Sequence, residues 1–410
     1  MGHCRRARLG FHSRPGGSRR QPSRSRGPVG DGCASRRRRR AMQSFQQDCV
    51  ELALEKYRRG EVSRRTLLAG LAALGVGSGL ASREAAAQER QLVMVNWGGI
   101  ANQAFGRFYG DPFASANPGV RVVQDSTGPS AGRIRSMVES GRVTWDLCDS
   151  SATSSYLLGG MNLLTPINYD IVKRDDVIGP TFALEHGAAP YSFSNVLVYD
   201  THKFPNGGPQ SWADFWDLRR FPGTRLLRRD AAGALDAAQM ALGKDPRNLY
   251  PLDIRASLAK VREIRRNCVF WTSGSESEQF IRTGEAVMGQ IWHTRAKVLE
   301  QESNGRFKHV WNQGILQPGI FVMPRGNPGG ELAQRLLASM LGNPEAQVGL
   351  LQFLGNGPTN PRAAALVPAE FRRFNPTDPE NARVQVAQDG RWWGQNYAQA
   401  NADYIDMVTG

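Results

Sequence analysis

The 410-residue sequence predicts an α/β fold whose parallel sheet is covered by helices on both faces. Three observations predict it. Short continuous apolar runs alternate with segments of helical period. Capping residues and glycine stops mark the joints between them. The stretch able to build a core, 88–410, is long enough for one large domain or for two lobes.

The elements follow in order. "QLVMVN" (91–96) is short, continuous and partly β-branched, and reads as a buried strand. A helix is expected over about 101–115, then the strand "VRVVQD" (120–125). "GRIRSMVESG" reads as a helix ended by Gly141, and "WDLCDS" (145–150) as a strand. This strand–helix–strand rhythm is what implies a parallel sheet. "YSFSNVLVYD" (191–200) is the next strand. Ser211 and Asp214 have capping-box spacing for a helix carrying Trp212, Phe215 and Trp216. After "FPG" comes the strand "TRLL", then a helix with Ile254, Leu258, Val261 and Ile264 on one face. Ser275 and Glu278 suggest a second capping box, with Gly284 as the stop. "AVMGQIWHTRA", "RFKHVW" and "GIFVMP" read as separate strand-like pieces. A helix with Leu332, Leu336, Leu337 and Met340 follows, and Asn343-Pro344 opens another that Gly355 closes. Residues 366–410 form a Pro/Asn/Arg-rich and then aromatic closing segment, ending in a helix.

Ahead of residue 88 the composition changes. Residues 1–41 are rich in Arg, Ser, Gly and Pro, include a run of five arginines, and cannot bury a core. They read as a disordered arm, or as a spurious extension ahead of a start at Met42. Residues 42–87 read as an export leader. Arg64-Arg65 is the basic flank, Leu67 to Leu80 a glycine-broken apolar centre, and Ala85-Ala86-Ala87 the small-residue end. Ser63-Arg64-Arg65-Thr66-Leu67-Leu68 resembles a twin-arginine export signal. An uncut membrane anchor is the alternative, disfavoured by the glycines. The expected compartment is the periplasm. Of the 52 basic and 37 acidic residues, 19 and 6 precede Gln88, which leaves 33 against 31. The formal charge of +15 therefore belongs to the leader, and nucleic-acid binding by the mature chain loses its compositional basis. Cys148 and Cys268 remain, with no spacing that dictates a disulfide. No clustered His/Cys set, phosphate loop or dinucleotide fingerprint calls for a metal or cofactor.

Several fragments in their order carry a family resemblance: "NWGG", "WDLCDSSATSSYLL", "SNVLVYD", "SWADFWDLRRFPGTRLL", "YPLDIRASLAKVREI", "TGEAVMGQIWHTRA" and "LGNGPTNPRAA". Together with the leader, the chain resembles the periplasmic solute-binding proteins of ABC importers, in the spermidine/putrescine-binding group. The resemblance implies a two-lobed type II periplasmic-binding-protein fold with a hinge. Lobe one would span 88–198 plus 315–365, and lobe two 199–314. It implies a monomer that captures a small polar solute by lobe closure, delivers it to a membrane permease, performs no reaction, and meets the membrane only through that permease. A receptor-linked sensor would have the same fold.

Ligands of open α/β sheets sit beyond the carboxyl ends of strands. By that rule and by the resemblance, the expected ligand-binding residues are Trp97, Ser151, Thr153, Asp230, Trp271, Ser273, Trp292, Arg295 and Gln317. Trp97 and Trp292 would be aromatic walls, Asp230 a ligand carboxylate, Arg295 a partner for an acid, and Ser273 to Ser275 an anion site at a helix start. Ser151 could equally cap a helix. The polyamine pattern is incomplete. Gly233 stands where that group has a second acid, Gln317-Pro318-Gly319 where it has an aromatic-x-Asp, and Asn356 or Gly357 where it has a Tyr. These departures point to a ligand with fewer positive charges, zwitterionic or anionic. The competing chemistry is a serine hydrolase, because "GPSAG" (128–132) matches G-x-S-x-G between a strand and a helix. No motif places a histidine or an acid beside Ser130.

Overall fold

The computed structural model describes residues 89–410 together with Lys56, Arg59, Val62, Ser63 and Thr66. The arm and the body of the leader, with its arginine pair, lie outside the described residues. Within the leader unit, Thr66 donates its backbone N–H to the Ser63 hydroxyl at 3.2 Å. No helix among the described residues is long and apolar enough to cross a membrane.

The unit from Gln88 to Gly410 begins with β1 (Arg90–Val95), a helix α1 (Ile100–Phe105) that passes through a π-turn into α2 (Asp111–Ala116), and β2 (Val120–Asp125). The single helix expected at 101–115 is thus interrupted, with Gly106 and Gly110 bounding the π-turn. Then come α3 (Ala131–Glu139), β3 (Leu147–Ser151), α4 (Ala152–Gly160), the short β4 (Ala183–Leu184) and the long β5 (Gly187–Asp200). The middle of the chain forms α5 (Trp212–Trp216), β6 (Arg225–Arg228), α6 (Ala231–Ala241), α7 (Ile254–Ile264) and β7 (Cys268–Trp271). It continues with α8 (Gly274–Arg282), β8 (Met288–Trp292), α9 (His293–Glu302) and the long β9 (Phe307–Val322). Last are α10 (Glu331–Gly342), α11 (Pro344–Leu354), β10 (Val386–Ala387) and α12 (Gly390–Thr409).

The strands of the described residues join into one sheet in the order β2-β1-β3-β9-β5-β8-β6-β7. The sheet is mixed, where the rhythm of the sequence had implied a parallel one. β1 pairs in parallel with β2 and β3, and β6 with β7 and β8. The central strands β9 and β5 run antiparallel to each other and to their neighbours β3 and β8. The reason is β9. "RFKHVW" and "GIFVMP" are two ends of one 16-residue strand. Its last third pairs with β3, and its first third lies against the second half of β5. A register shift between Asn195 and Leu197 of β5 marks the change from one stretch to the other.

Two hydrophobic cores lie at opposite ends of these shared strands. The first gathers Met94, Phe105, Leu147, Phe321, Leu336, Leu337 and Leu350. The second gathers Phe215, Leu227, Leu235, Val261, Met288, Trp393 and Tyr404, with a smaller cluster of Val198, Leu226, Trp271 and Ile291 beside it. The face expected for α7 holds: Val261 and Ile264 are buried, with Ile254 and Leu258 packed beside them. α11 ends at Gly355 in the left-handed region, φ 95°. α12 adds Trp393 and Tyr404 to the second core, while its Gly390 and Gly394 lie close against Ala152 and Tyr156 of α4.

The second capping box sits two residues earlier than its expected position. Ser273 and Glu276 form it, and Ser275 and Glu278 do not. "HTRA", grouped with the preceding strand in the sequence reading, is the first turn of α9. Cys148 is buried and Cys268 half-buried, and both are free thiols.

Candidate functional site

A cavity of about 280 Å³ opens between the two ends of the sheet. Seven of the nine residues singled out from the sequence line it: Trp97, Ser151, Thr153, Asp230, Trp292, Arg295 and Gln317. The structure does not bring Trp271 or Ser273 to its wall.

Trp97 is held by the turn after β1. Asn96, fully buried, donates through Nδ2 to Gln124 at 2.7 Å and accepts the Gly98 N–H through Oδ1 at 3.0 Å. Gly98 and Gly99 take φ of 74° and 58°, a region that side-chain-bearing residues rarely adopt. The chain therefore reverses at once, and the indole stays 45% exposed at the cavity mouth. Its ring centroid lies 5.8 Å from that of Trp292, which ends β8. Phe193 meets Trp292 edge-on at 6.4 Å, and Tyr191 lies 6.3 Å from Phe193. These four rings make an aromatic wall. Tyr191 fits only because Gly319, its cross-strand partner, has no Cβ to meet its ring.

The adjoining part of the wall is charged. Arg228, the last residue of β6, holds its guanidinium 5.2 Å from the Trp292 ring and 5.5 Å from the Trp271 ring. Such stacking fixes a planar cation without consuming its N–H donors. Asp230 stands 3.5 Å from it. That carboxylate also caps α6, accepting the Ala232 N–H at 2.9 Å, and accepts from the Tyr397 hydroxyl at 3.3 Å. It is therefore engaged within the protein, with Oδ1 on the helix cap and Oδ2 shared between Arg228 and Tyr397. Arg295, on α9, pairs with Glu278 at 2.9 Å through Nη1, while its Nε has no protein partner. Trp292 Nε1, Gln317 Nε2 and Gln388 Nε2, all on wall residues, are buried N–H donors without a protein partner as well.

The two outliers have clear positions. Trp271 is fully buried behind Trp292, 5.1 Å away and edge-on, and donates to the Gln290 carbonyl at 2.8 Å. It supports Arg228 from below. Ser273 caps α8, and the Glu276 carboxylate accepts the N–H groups of Thr272 and Ser273 at 2.6 and 3.3 Å. The expected anion site is thus already filled by a side-chain carboxylate. Ser151 caps α4 by accepting the Ser154 N–H at 3.1 Å, and Thr153 is buried in the first turn behind it. Ser130 also reaches the cavity, but its hydroxyl caps α3 by accepting the Arg133 N–H at 3.2 Å, and no histidine lines the wall.

The sequence reading missed Arg228, Tyr191, Phe193, Gln388 and Tyr397, and named Asn356 only as a departure from the polyamine pattern. Arg228 was within reach, since it ends a strand two residues before Asp230. Gln388 and Tyr397 come from the closing segment, which no motif tied to the site. Asn356 is set by the fixed loop after α11. There the Gln347 amide oxygen accepts from Thr359 and Asn360, and Gly357 exchanges backbone bonds with Ser192.

Residues 109–380 match the bacterial extracellular solute-binding proteins. The chain belongs to that family. It is 30% identical to the gamma-aminobutyric acid-binding protein of Pseudomonas aeruginosa over 324 residues, 77% of this chain and 90% of that one. A GABA receptor of known structure is 26% identical and superposes with a TM-score of 0.71, covering 78% of this chain and 98% of its own. AgtB of Agrobacterium tumefaciens R10, solved with agropinic acid, is 28% identical with a TM-score of 0.70, covering 78% and 99%. This solute-binding protein of an ABC transporter has the type II periplasmic-binding-protein fold, and β5 and β9 are the strands its two ends share.

Proposed function

We propose that this solute-binding protein captures a small amino acid whose ammonium and carboxylate are separated by a short chain, and hands it to a membrane permease. The charge inventory of the wall carries the reading. Two guanidinium groups, Arg228 beside Asp230 and Arg295 beside Glu278, line the cavity with three further side chains whose N–H donors are unpartnered, and Asp230 is the one carboxylate among the lining residues. A polyamine needs several carboxylates, because each buried ammonium needs a counter-charge. A ligand carboxylate suits Arg228, whose planar fork is held in place by two indoles. The ammonium suits the aromatic wall of Trp97, Tyr191, Phe193 and Trp292. Two relatives named for gamma-aminobutyric acid agree with this polarity. We place the protein with amino-acid binders, away from the polyamine group.

In this reading the lobes are 88–198 plus 315–365 and 199–314, with 366–410 as the closing segment. β5 and β9 are the hinge, and the ligand favours closure through its better affinity for the closed state. The protein works as a monomer in the periplasm, reached with a twin-arginine leader. A thermal-shift comparison tests the ligand class. Gamma-aminobutyric acid raises the melting temperature, and putrescine at equal concentration does not. A shift with putrescine alone overturns the reading.

A further inference from the structure

Beneath the aromatic wall lies a carboxyl group that the binding scheme has not used. Asp149 sits on β3, two residues before Ser151, and is completely buried. The Tyr191 hydroxyl lies 2.9 Å from each of its two oxygens. Tyr191 lines the cavity, so one phenol separates Asp149 from the ligand space. The groups that face Asp149 are Tyr191 from β5, Tyr109 from the π-turn after α1, Cys148 on its own strand and the indole of Trp97. Arg133 and Asp125 act on the neighbouring Cys148. No cation is among the groups that hold Asp149. Burial accordingly pushes its carboxyl up to about 8.

A phenol between a buried acid and a cavity can present either of its faces. When Asp149 carries a proton, its O–H donates to the Tyr191 oxygen, and the phenol hydrogen is free to point elsewhere. When Asp149 is ionised, it accepts the phenol hydrogen, and the Tyr191 oxygen turns its lone pairs outward. The second arrangement is the better acceptor for an N–H from an ammonium, because it leaves the Tyr191 lone pairs unshared and places a negative charge behind them. An ammonium beside Tyr191 and Trp97 also supplies the missing positive charge.

We propose that Asp149 is a positioning residue of the binding site: it stays protonated in the empty cavity and releases that proton to solvent when a ligand ammonium docks on Tyr191. The O–H bond of the carboxyl breaks, the proton goes to buffer, and the ligand keeps its three ammonium protons. The inference rests on the proposed amino-acid ligand, whose cationic end lies at the aromatic wall. It makes capture of a cationic head sensitive to pH at neutral values, where the surface carboxylates no longer titrate.

Carboxyl carbon-13 NMR of the purified protein tests it, first without ligand. One aspartate carboxyl titrates well above the others in the free protein, near about 8, and its signal is absent in Asp149→Asn. If the signal lost in Asp149→Asn titrates below about 5 in the free protein, the ordinary carboxylate range, the proposal is overturned whatever the ligand. Gamma-aminobutyric acid is then added at saturation. The midpoint falls by about one unit or more, and the binding heat depends on the ionisation enthalpy of the buffer. That dependence disappears in Asp149→Asn, and in Tyr191→Phe the midpoint no longer responds. A midpoint that ignores bound ligand overturns the coupling while leaving the ligand assignment intact. Failure of gamma-aminobutyric acid to bind removes the ligand assignment and the coupling together.

Discussion

Trp97 and Arg228 face the same cavity from opposite ends of the sheet, and they are held there differently. Trp97 stands on a turn of two left-handed glycines, is 45% exposed and touches Trp292 from one side. Arg228 leaves the end of a strand and stacks on two indoles, with Asp230 at 3.5 Å. The first is a half-exposed ring whose indole also faces Asp149, and the second a preorganised charge. Preorganised groups give up little freedom on binding, so they carry more of the net affinity.

Substitutions can break that comparison. Arg228→Ala has the largest expected effect, a loss of about a hundredfold or more in affinity for gamma-aminobutyric acid by calorimetry, about 3 kcal/mol. Trp97→Ala costs about fivefold, because an exposed ring contributes cation–π and cover of about 1 kcal/mol. If Trp97→Ala proves the more damaging, the roles assigned to the two residues are reversed. Asp230→Ala lowers stability by about 1 kcal/mol through loss of the α6 cap, read in urea unfolding, and weakens binding only through a looser Arg228. Ser130→Ala has the smallest effect. It removes one helix cap, at a cost of about 1 kcal/mol in stability, and leaves affinity unchanged.

A fifth expectation concerns pH. In the folded chain Asp149 keeps its proton up to about 8, whereas in an unfolded chain an aspartate loses it near about 4. As pH rises through that window the unfolded chain binds fewer protons, so folding stability falls. Denaturation series at several pH values show this decline in the unliganded protein, and Asp149→Asn removes that component of the slope.

Local chemistry made much of the fold legible. The strands at 91–96 and 120–125, the cap at Ser211, the apolar face of α7 and the glycine stop at Gly355 each depend on neighbours in sequence. The antiparallel centre was not legible, because "RFKHVW" and "GIFVMP" are joined into one strand by "NQGILQP", which has no apolar alternation to announce it. In the site, the rule that ligands gather beyond strand ends found Trp97, Asp230 and Trp292. It could not tell that Asp230 is engaged by a helix start and by Arg228, or that Trp271 turns inward. Those facts depend on contacts between distant strands. Asp149 escaped notice for the same reason, since a polar residue inside a strand looks solvent-facing until both sheet neighbours are known.

Calorimetric titration with gamma-aminobutyric acid and with putrescine, on wild type and Arg228→Ala side by side, tests the central claim most directly. Saturable binding of the amino acid to wild type, lost in the variant, with putrescine silent toward both, is the predicted result. Tight putrescine binding that survives loss of Arg228 would contradict it.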